Sequence, residues 1–190
     1  MDFINIIKTR RSIRKFKQDE LPIQDLKELI DCARLAPSAA NVQPLEYAII
    51  TNKDKKEEIF QTTRWAGYIQ NGTPQEQEKP TAFIAIIIDN EKVSQWGAVR
   101  DIGASAENIM LAAHAKNIGT CWIASADMEK VKTVLNLEEK YTVDSLIALG
   151  YPAEESCIEN DDEKVKYWKD ESDKMHVPKR KLESILKIVE

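Results

Sequence analysis

The apolar positions of this chain recur with a period that changes along its length, and the period separates helices from strands. Ile23, Leu26, Leu29, Ile30 and Ala33 fall at helical spacing, which predicts a helix over 23–36. Pro22 suits its first turn and Pro37 stops it. Residues 2–9 read as a shorter helix ending in bases. L-E-Y-A-I-I-T at 45–51 suits a strand. Residues 82–88 contain F-I-A-I-I-I, a β-branched run of the kind found in strands buried on both faces. A long helix is predicted over 98–116; its positions are apolar or small nearly all round, so it should be buried on most sides. Asn117 or Gly119 would stop it before a short strand at 119–124. Residues 127–136 read as a helix capped by Asp127, and 143–150 as a strand ended by Pro152.

Two stretches break the pattern. The polar segment 62–80, containing N-G-T-P, is long for a plain connection and reads as a lid or binding loop. Residues 159–174 are densely charged and read as solvated, before a closing H-V-P-K-R and a short amphipathic stretch. The alternation of strands and helices points to a sheet with helices on both faces. A length of 190 residues suits one well-buried core, so residues 1–190 are expected to form one domain.

Composition narrows the function. The chain is acidic, with 27 Lys plus Arg against 32 Asp plus Glu and a net charge of −5, which disfavours general nucleic-acid binding. No apolar run approaches the ~20 residues of a membrane span. The twin arginines at 10 and 11 are followed by polar residues rather than an apolar stretch, so no export signal is read and the chain is expected to be cytoplasmic. Three separated cysteines and two histidines give no metal-ligand spacing and no disulfide framework. No strand is followed by a dinucleotide-type glycine fingerprint, and neither a phosphate-binding P-loop nor a nucleophile elbow is present.

Against the acidic background, the first seventeen residues hold six bases and one acid. Helix ends attract cations, which accounts for Lys8 and Arg11 but not for Ser12 or Arg14. Arg10, Ser12 and Arg14 alternate as an anion cradle would, since guanidinium forks match phosphate oxygens and a serine adds a short hydrogen bond. A-P-S-A-A-N-V-Q-P at 36–44 offers small residues for close approach of a flat ligand, with Ser38, Asn41 and Gln43 as polar groups. The same residues also make ordinary helix stops and turns. In G-T-C-W-I-A at 119–124, Cys121 reads as a buried inert thiol and Trp122 as a core residue. His114 has no adjacent acid or serine in the pattern to make it a catalytic base. P-K-R-K at 178–181 is a second basic group, or a solvated tail.

Together, R-R-S-I-R at 10–14, A-P-S-A-A-N-V-Q-P at 36–44, D-I-G-A-S-A-E-N-I-M-L-A-A at 101–113, G-T-C-W-I at 119–123, A-L-G-Y-P at 148–152 and the V-P-K-R ending resemble the FMN-dependent nitroreductase family. Order and spacing carry the resemblance over nearly the whole chain. It implies an α+β fold with a mixed central sheet flanked by helices, and a homodimer holding FMN at the subunit interfaces. Arg10 and Ser12, with neighbouring Arg11 and a C-terminal base, Lys179 or Arg180 (Lys181 being a third candidate), would hold the FMN phosphate. Arg14 would sit at the pyrimidine edge of the flavin. Pro37, Ser38, Ala39, Asn41 and Gln43 would reach the flavin of the other subunit, and Trp122 and Ile123 would lie along its ring. The implied reaction takes hydride from NADH or NADPH onto flavin N5. Two electrons then pass to a nitroaromatic, quinone or similar small electron-poor acceptor, in a ping-pong cycle with no metal and no protein nucleophile. Leu45 and Ala124 depart from the residues many members carry, which bears on substrate range. Reductive dehalogenation or flavin modification on the same scaffold is the alternative; for a dehalogenase, the 62–80 segment offers Arg64, Trp65 and Tyr68 as lid groups toward an amino-acid-like substrate. A non-enzymatic dimeric binding protein is the other.

Overall fold

The computed structural model describes residues 2–93 and 95–190. The chain runs α1 (Phe3–Thr9), α2 (Ile23–Arg34), β1 (Leu45–Ile50), α3 (Lys53–Phe60), β2 (Ala82–Asp89), α4 (Gln95–Ala115), β3 (Gly119–Ile123), α5 (Met128–Leu135) and β4 (Tyr141–Gly150). It continues through β5 (Ser156–Asn160), β6 (Trp168–Lys169), β7 (Met175–Lys179) and α6 (Leu182–Ile185). The helices and strands expected from periodicity all form, with shifts at their ends. Pro22 stands one residue before α2 and accepts from Asp25 and Leu26 through its carbonyl. Asn117 alone ends α4, in the left-handed region at φ 58°, while Gly119 opens β3 in an ordinary conformation. Asp127 caps α5 by accepting from Lys130 N at 3.1 Å, and Asn136 closes that helix at φ 53°. Helix α3 is not evident from periodicity, because only Ile59 and Phe60 at its end are buried.

The central sheet has the order β1-β2-β4-β3, with antiparallel neighbours throughout. Parallel pairing occurs in a second sheet, β5-β7-β6, between β5 and β7, and in one bridge from Ser12 to Thr120 on the β3 edge. Every residue of β2 is buried. Its alternate residues Ala82, Ile84, Ile86 and Ile88 pack with α2 and α4, while Phe83, Ala85 and Ile87 pack with α3 and α5. Helices therefore cover both faces, and a continuous apolar run is what such a strand requires. Among the described residues no helix is long and apolar enough to cross a membrane.

The stretch read as solvated is only partly so. Residues 162–166 are exposed, but Lys169 and Asp173 form a charge network with the N-terminal segment. Lys169 Nζ lies 3.3 Å from Glu154 and 2.9 Å from Asp173, and Lys15 Nζ reaches Asp173 at 3.1 Å. Within the small sheet, His176 is held between Glu159 at 2.7 Å and Asp170 at 2.9 Å, with its ring stacked on Trp168 at 4.2 Å. The sequence pattern missed this sheet because its strands are short and only Met175 and Pro178 within them are buried.

Candidate functional site

The basic segment after α1 is held against the open end of the central sheet by backbone bonds on both sides. Ile13 N donates to Thr120 O at 2.8 Å, Lys17 N to Tyr151 O at 2.8 Å, and Ala153 N to Lys15 O at 2.9 Å. The crossing depends on two glycines that pair across β3 and β4, Gly119 and Gly150. A Cβ on Gly119 would stand 2.9 Å from Ile13, and one on Gly150 would stand 2.9 Å from the fully buried Phe16. The spacing of Ile13 and Phe16 thus matches two bare places on the sheet, and the bases between and before them are set in position. Three motifs distant in sequence are joined here for a packing reason.

Two clefts flank this segment. The first, about 190 Å³, is lined by Thr9, Arg10, Arg11, His114, Thr120 and Ser156 among others. Arg10 Nε is buried and lies 3.5 Å from Glu107 Oε1 on α4, but makes no hydrogen bond. Arg11 turns back and donates to the carbonyls of Lys8 and Arg10, so its guanidinium serves the helix end. His114 Nε2 is 2.8 Å from Thr9 Oγ1. Burial, and then the charges of Arg10 and Arg11, push the His114 imidazole below its ordinary value of 6.5 and keep it neutral at pH 7.

The second cleft, about 280 Å³, has a different character. Arg14, Arg64, Trp65, Cys121, Trp122, Ile123, Ser125 and Tyr167 line it. Arg14 N donates to Glu154 Oε1 at 2.5 Å, and its guanidinium carbon stands 4.7 Å from the centre of the Tyr167 ring. Trp122 is 41% exposed, so it is a wall of this cleft rather than a core residue; its Nε1 donates to Ser145 Oγ at 2.8 Å. Ile123 is buried behind it. Cys121 is also buried, and that burial pushes its thiol up, which keeps it protonated and unreactive, as the sequence implied.

Ser12 pairs with Thr120 at the β3 edge and is not among the residues lining either cleft; the remaining expected residues lie elsewhere in the protomer. Ser38 Oγ donates to the buried Asp101 at 2.5 Å and accepts from Gln43 N at 2.9 Å; Ala39 N also reaches Asp101. Those contacts hold Ala40, Asn41 and Gln43 at φ 51°, 55° and 51°, an uncommon run for residues other than glycine. The loop, with Pro37, borders a third cleft of about 220 Å³ beside Tyr47 and Ser105. Asn41 is exposed. Lys179 ends β7, Arg180 donates to Ser184 O at 2.8 Å, and Lys181 N donates to Asp162. None of these three bases lines the Arg10 cleft. Tyr167, which lines the second cleft, and Glu154, which holds the Arg14 backbone, were not disclosed by the sequence. Glu154 stands two places after A-L-G-Y-P, and Tyr167 is one of two adjacent aromatics in an otherwise charged run, the one available signal for it.

The family model described as the Nitroreductase family matches residues 7–151, which includes both clefts' inner walls and the loop at 36–44. A Methanothermobacter thermautotrophicus protein with a provisional NADH dehydrogenase/NAD(P)H nitroreductase name is 30% identical over 159 residues, covering 81% of this chain and 79% of that one. A solved FMN-dependent nitroreductase from Clostridium difficile R20291 is 30% identical with a TM-score of 0.67, over 80% of this chain and 88% of that one. An iodotyrosine deiodinase from Thermotoga neapolitana is 22% identical over 88% of this chain and 93% of its own length. With the family model spanning the sheet, its covering helices and the basic segment laid over the two glycines, the chain belongs to the nitroreductase family.

Proposed function

We propose that this chain is an FMN-dependent oxidoreductase that takes its electrons from NADH or NADPH and gives them to a small electron-poor acceptor such as a nitroaromatic or quinone. We place it in the cytoplasm, as a homodimer of a domain formed by residues 1–190. The observation that carries the reading is the arrangement of one segment over two clefts, a polar cationic one at Arg10 and an aromatic cationic one at Arg14.

The residues present fit the cofactor. A phosphate near −2 charge needs several charge-assisted hydrogen bonds, and the Arg10 cleft holds a buried guanidinium nitrogen that makes none. Arg10 and Ser12 would hold the phosphate, and neutral His114 with Thr9 would close the polar wall. Trp122 and Ile123 would flank the ring, and Arg14 would supply positive charge at its polar edge. When bound, FMN would accept hydride from the nicotinamide and release two electrons to the acceptor. The protein's part is to bind, orient and tune. The protonated Cys121 takes no part.

The dimer is supported by what one protomer leaves over. The 36–44 loop and the C-terminal bases lie outside both clefts. Phe3, Ile4 and Ile7 on α1 are exposed, as are Leu186, Ile188 and Val189 at the C-terminal end, and a Cβ on Gly103 of α4 would meet nothing within 4 Å. We assign Ser38, Asn41, Gln43 and one of Lys179, Arg180 or Lys181 to the flavin of the partner subunit.

The test is a visible absorption spectrum of the purified protein, repeated after anaerobic addition of NADH or NADPH. Flavin bands that bleach are expected. Protein that stays colourless after incubation with excess FMN would overturn the reading.

A further inference from the structure

One cation of the aromatic cleft has no role in the reading above. Arg64 lines that cleft, yet its side chain makes no hydrogen bond, ion pair or ring contact among the described residues. Its backbone is fixed on both sides. Arg64 N donates to Ser125 O at 2.8 Å, Ser125 Oγ donates to Arg64 O at 2.9 Å, and Thr63 bridges to Ala126. The next residue, Trp65, is buried, with its Nε1 donating to Thr63 Oγ1 at 2.7 Å and its ring 5.8 Å from that of Phe60. A guanidinium is thus mounted on a rigid base at the rim and left without a counter-ion.

What sets it apart from other exposed bases unpaired among the described residues, such as Lys17 and Arg100, is its place at an aromatic cleft. Lys15, Lys79, Lys116 and Lys169 each reach two carboxylates. Among the described residues no acid lines the aromatic cleft, which holds Arg14 and Arg64 with Trp65, Trp122 and Tyr167. A third cation, Lys166, stands 5.9 Å from the Tyr68 ring, and Tyr68 packs on Tyr167 with centroids 5.0 Å apart. The flat walls favour an aromatic ligand, and the unpaired fork favours an anionic substituent on it.

We infer that Arg64 determines specificity, pairing with an anionic group on a flat ligand that stacks beside the flavin at the rim of the aromatic cleft, and that this chain prefers aromatic carboxylates among electron-poor acceptors. The inference rests on the proposed redox function for its acceptor role but not for its binding chemistry. The same anion pairing could be met by the pyrophosphate of the nicotinamide donor, so the test separates the two.

Two measurements decide it, on wild type, Arg64→Gln and Arg64→Lys. The first is equilibrium binding of benzoate and benzamide, followed by tryptophan fluorescence on the protein as purified; neither probe is reduced. Arg64→Gln should weaken benzoate binding by roughly tenfold, the size of one lost charge-assisted hydrogen bond, and leave benzamide within about twofold. Arg64→Lys should restore part of the difference, and added salt should shrink it. The second is kcat/KM for 4-nitrobenzoate and its methyl ester, beside the rate of anaerobic reduction by NADH or NADPH. A loss confined to 4-nitrobenzoate assigns the anion to the acceptor, and a loss confined to the reductive step assigns it to the donor and overturns the carboxylate preference. Equal losses for charged and neutral ligands, no loss for either, or loss of bound flavin in Arg64→Gln would overturn the role of Arg64. If wild type binds benzoate through Arg64 but carries no flavin, the binding inference stands and the redox function falls.

Discussion

Arg10 and Arg14 are four residues apart on one segment, yet they enter clefts of opposite character. Around Arg10 the walls are the end of α1, a neutral histidine and small polar groups; around Arg14 they are aromatic rings and the exposed face of β3. The difference comes from how the segment is laid, not from the two arginines themselves. Ile13 and Phe16 anchor it on Gly119 and Gly150, and the bases on either side of Ile13 reach separate clefts. A cation's role is set by the packing residues between it and the next cation.

Breaking the anchorage should have the largest effect, because it disturbs both clefts at once. Gly150→Ala puts a methyl 2.9 Å from Phe16 in a filled core, and overpacking of this kind costs about 1–3 kcal/mol. The melting temperature should fall and flavin occupancy should fall with it; a variant with unchanged melting and full flavin would show that the segment is not fixed there. Next in size is Asn41→Ala, which bears on the loop outside both clefts. It should weaken FMN binding by about tenfold, the worth of one or two hydrogen bonds, and should loosen the dimer. Sedimentation with flavin titration checks this, and a monomer that binds FMN fully would contradict the assignment of the loop to the partner's flavin.

The small sheet sharpens the comparison through pH. The Asp170 hydrogen bond, with help from Glu159 and against some burial, raises the His176 imidazole above its ordinary 6.5. A raised folded-state value means that the stabilisation is complete below about pH 6.5 and is lost as pH climbs through the raised value. Amide protection in β7, taken relative to the intrinsic rise of exchange with pH, should therefore fall as pH climbs above about 6.5, and His176→Gln should flatten that fall. Since Lys179 ends β7 and Arg180 and Lys181 follow it, flavin affinity should weaken over the same range. The smallest effect is expected from Cys121→Ser: turnover should be kept, because the thiol is buried and protonated. Complete loss of turnover with FMN still bound would require a different chemistry.

How much of this was legible in the sequence differs by region for physical reasons. Strand β2 and helix α4 declare themselves, because burial on both faces leaves a continuous apolar run and close packing leaves small residues. The basic cluster could be read as an anion cradle, but not divided into its two clefts, since the division depends on Ile13 and Phe16 meeting glycines over a hundred residues away. Arg11 at a helix end was readable from local electrostatics. The β5-β7-β6 sheet was not, because ion pairs such as Lys169 with Glu154 replace the apolar period that marks a strand. Trp122 was misread because alternation along β3 assigns a face but not whether that face is covered.

The most direct test of the central claim, that the two clefts are the two ends of one flavin site, is flavin content and absorption measured side by side in Arg10→Ala and Arg14→Ala. Arg10→Ala is expected to be nearly colourless, through loss of the phosphate contact. Arg14→Ala is expected to remain yellow, with shifted bands and slower reduction by the nicotinamide. Full flavin in Arg10→Ala, or two variants that cannot be told apart from wild type in spectrum and reduction, would contradict it.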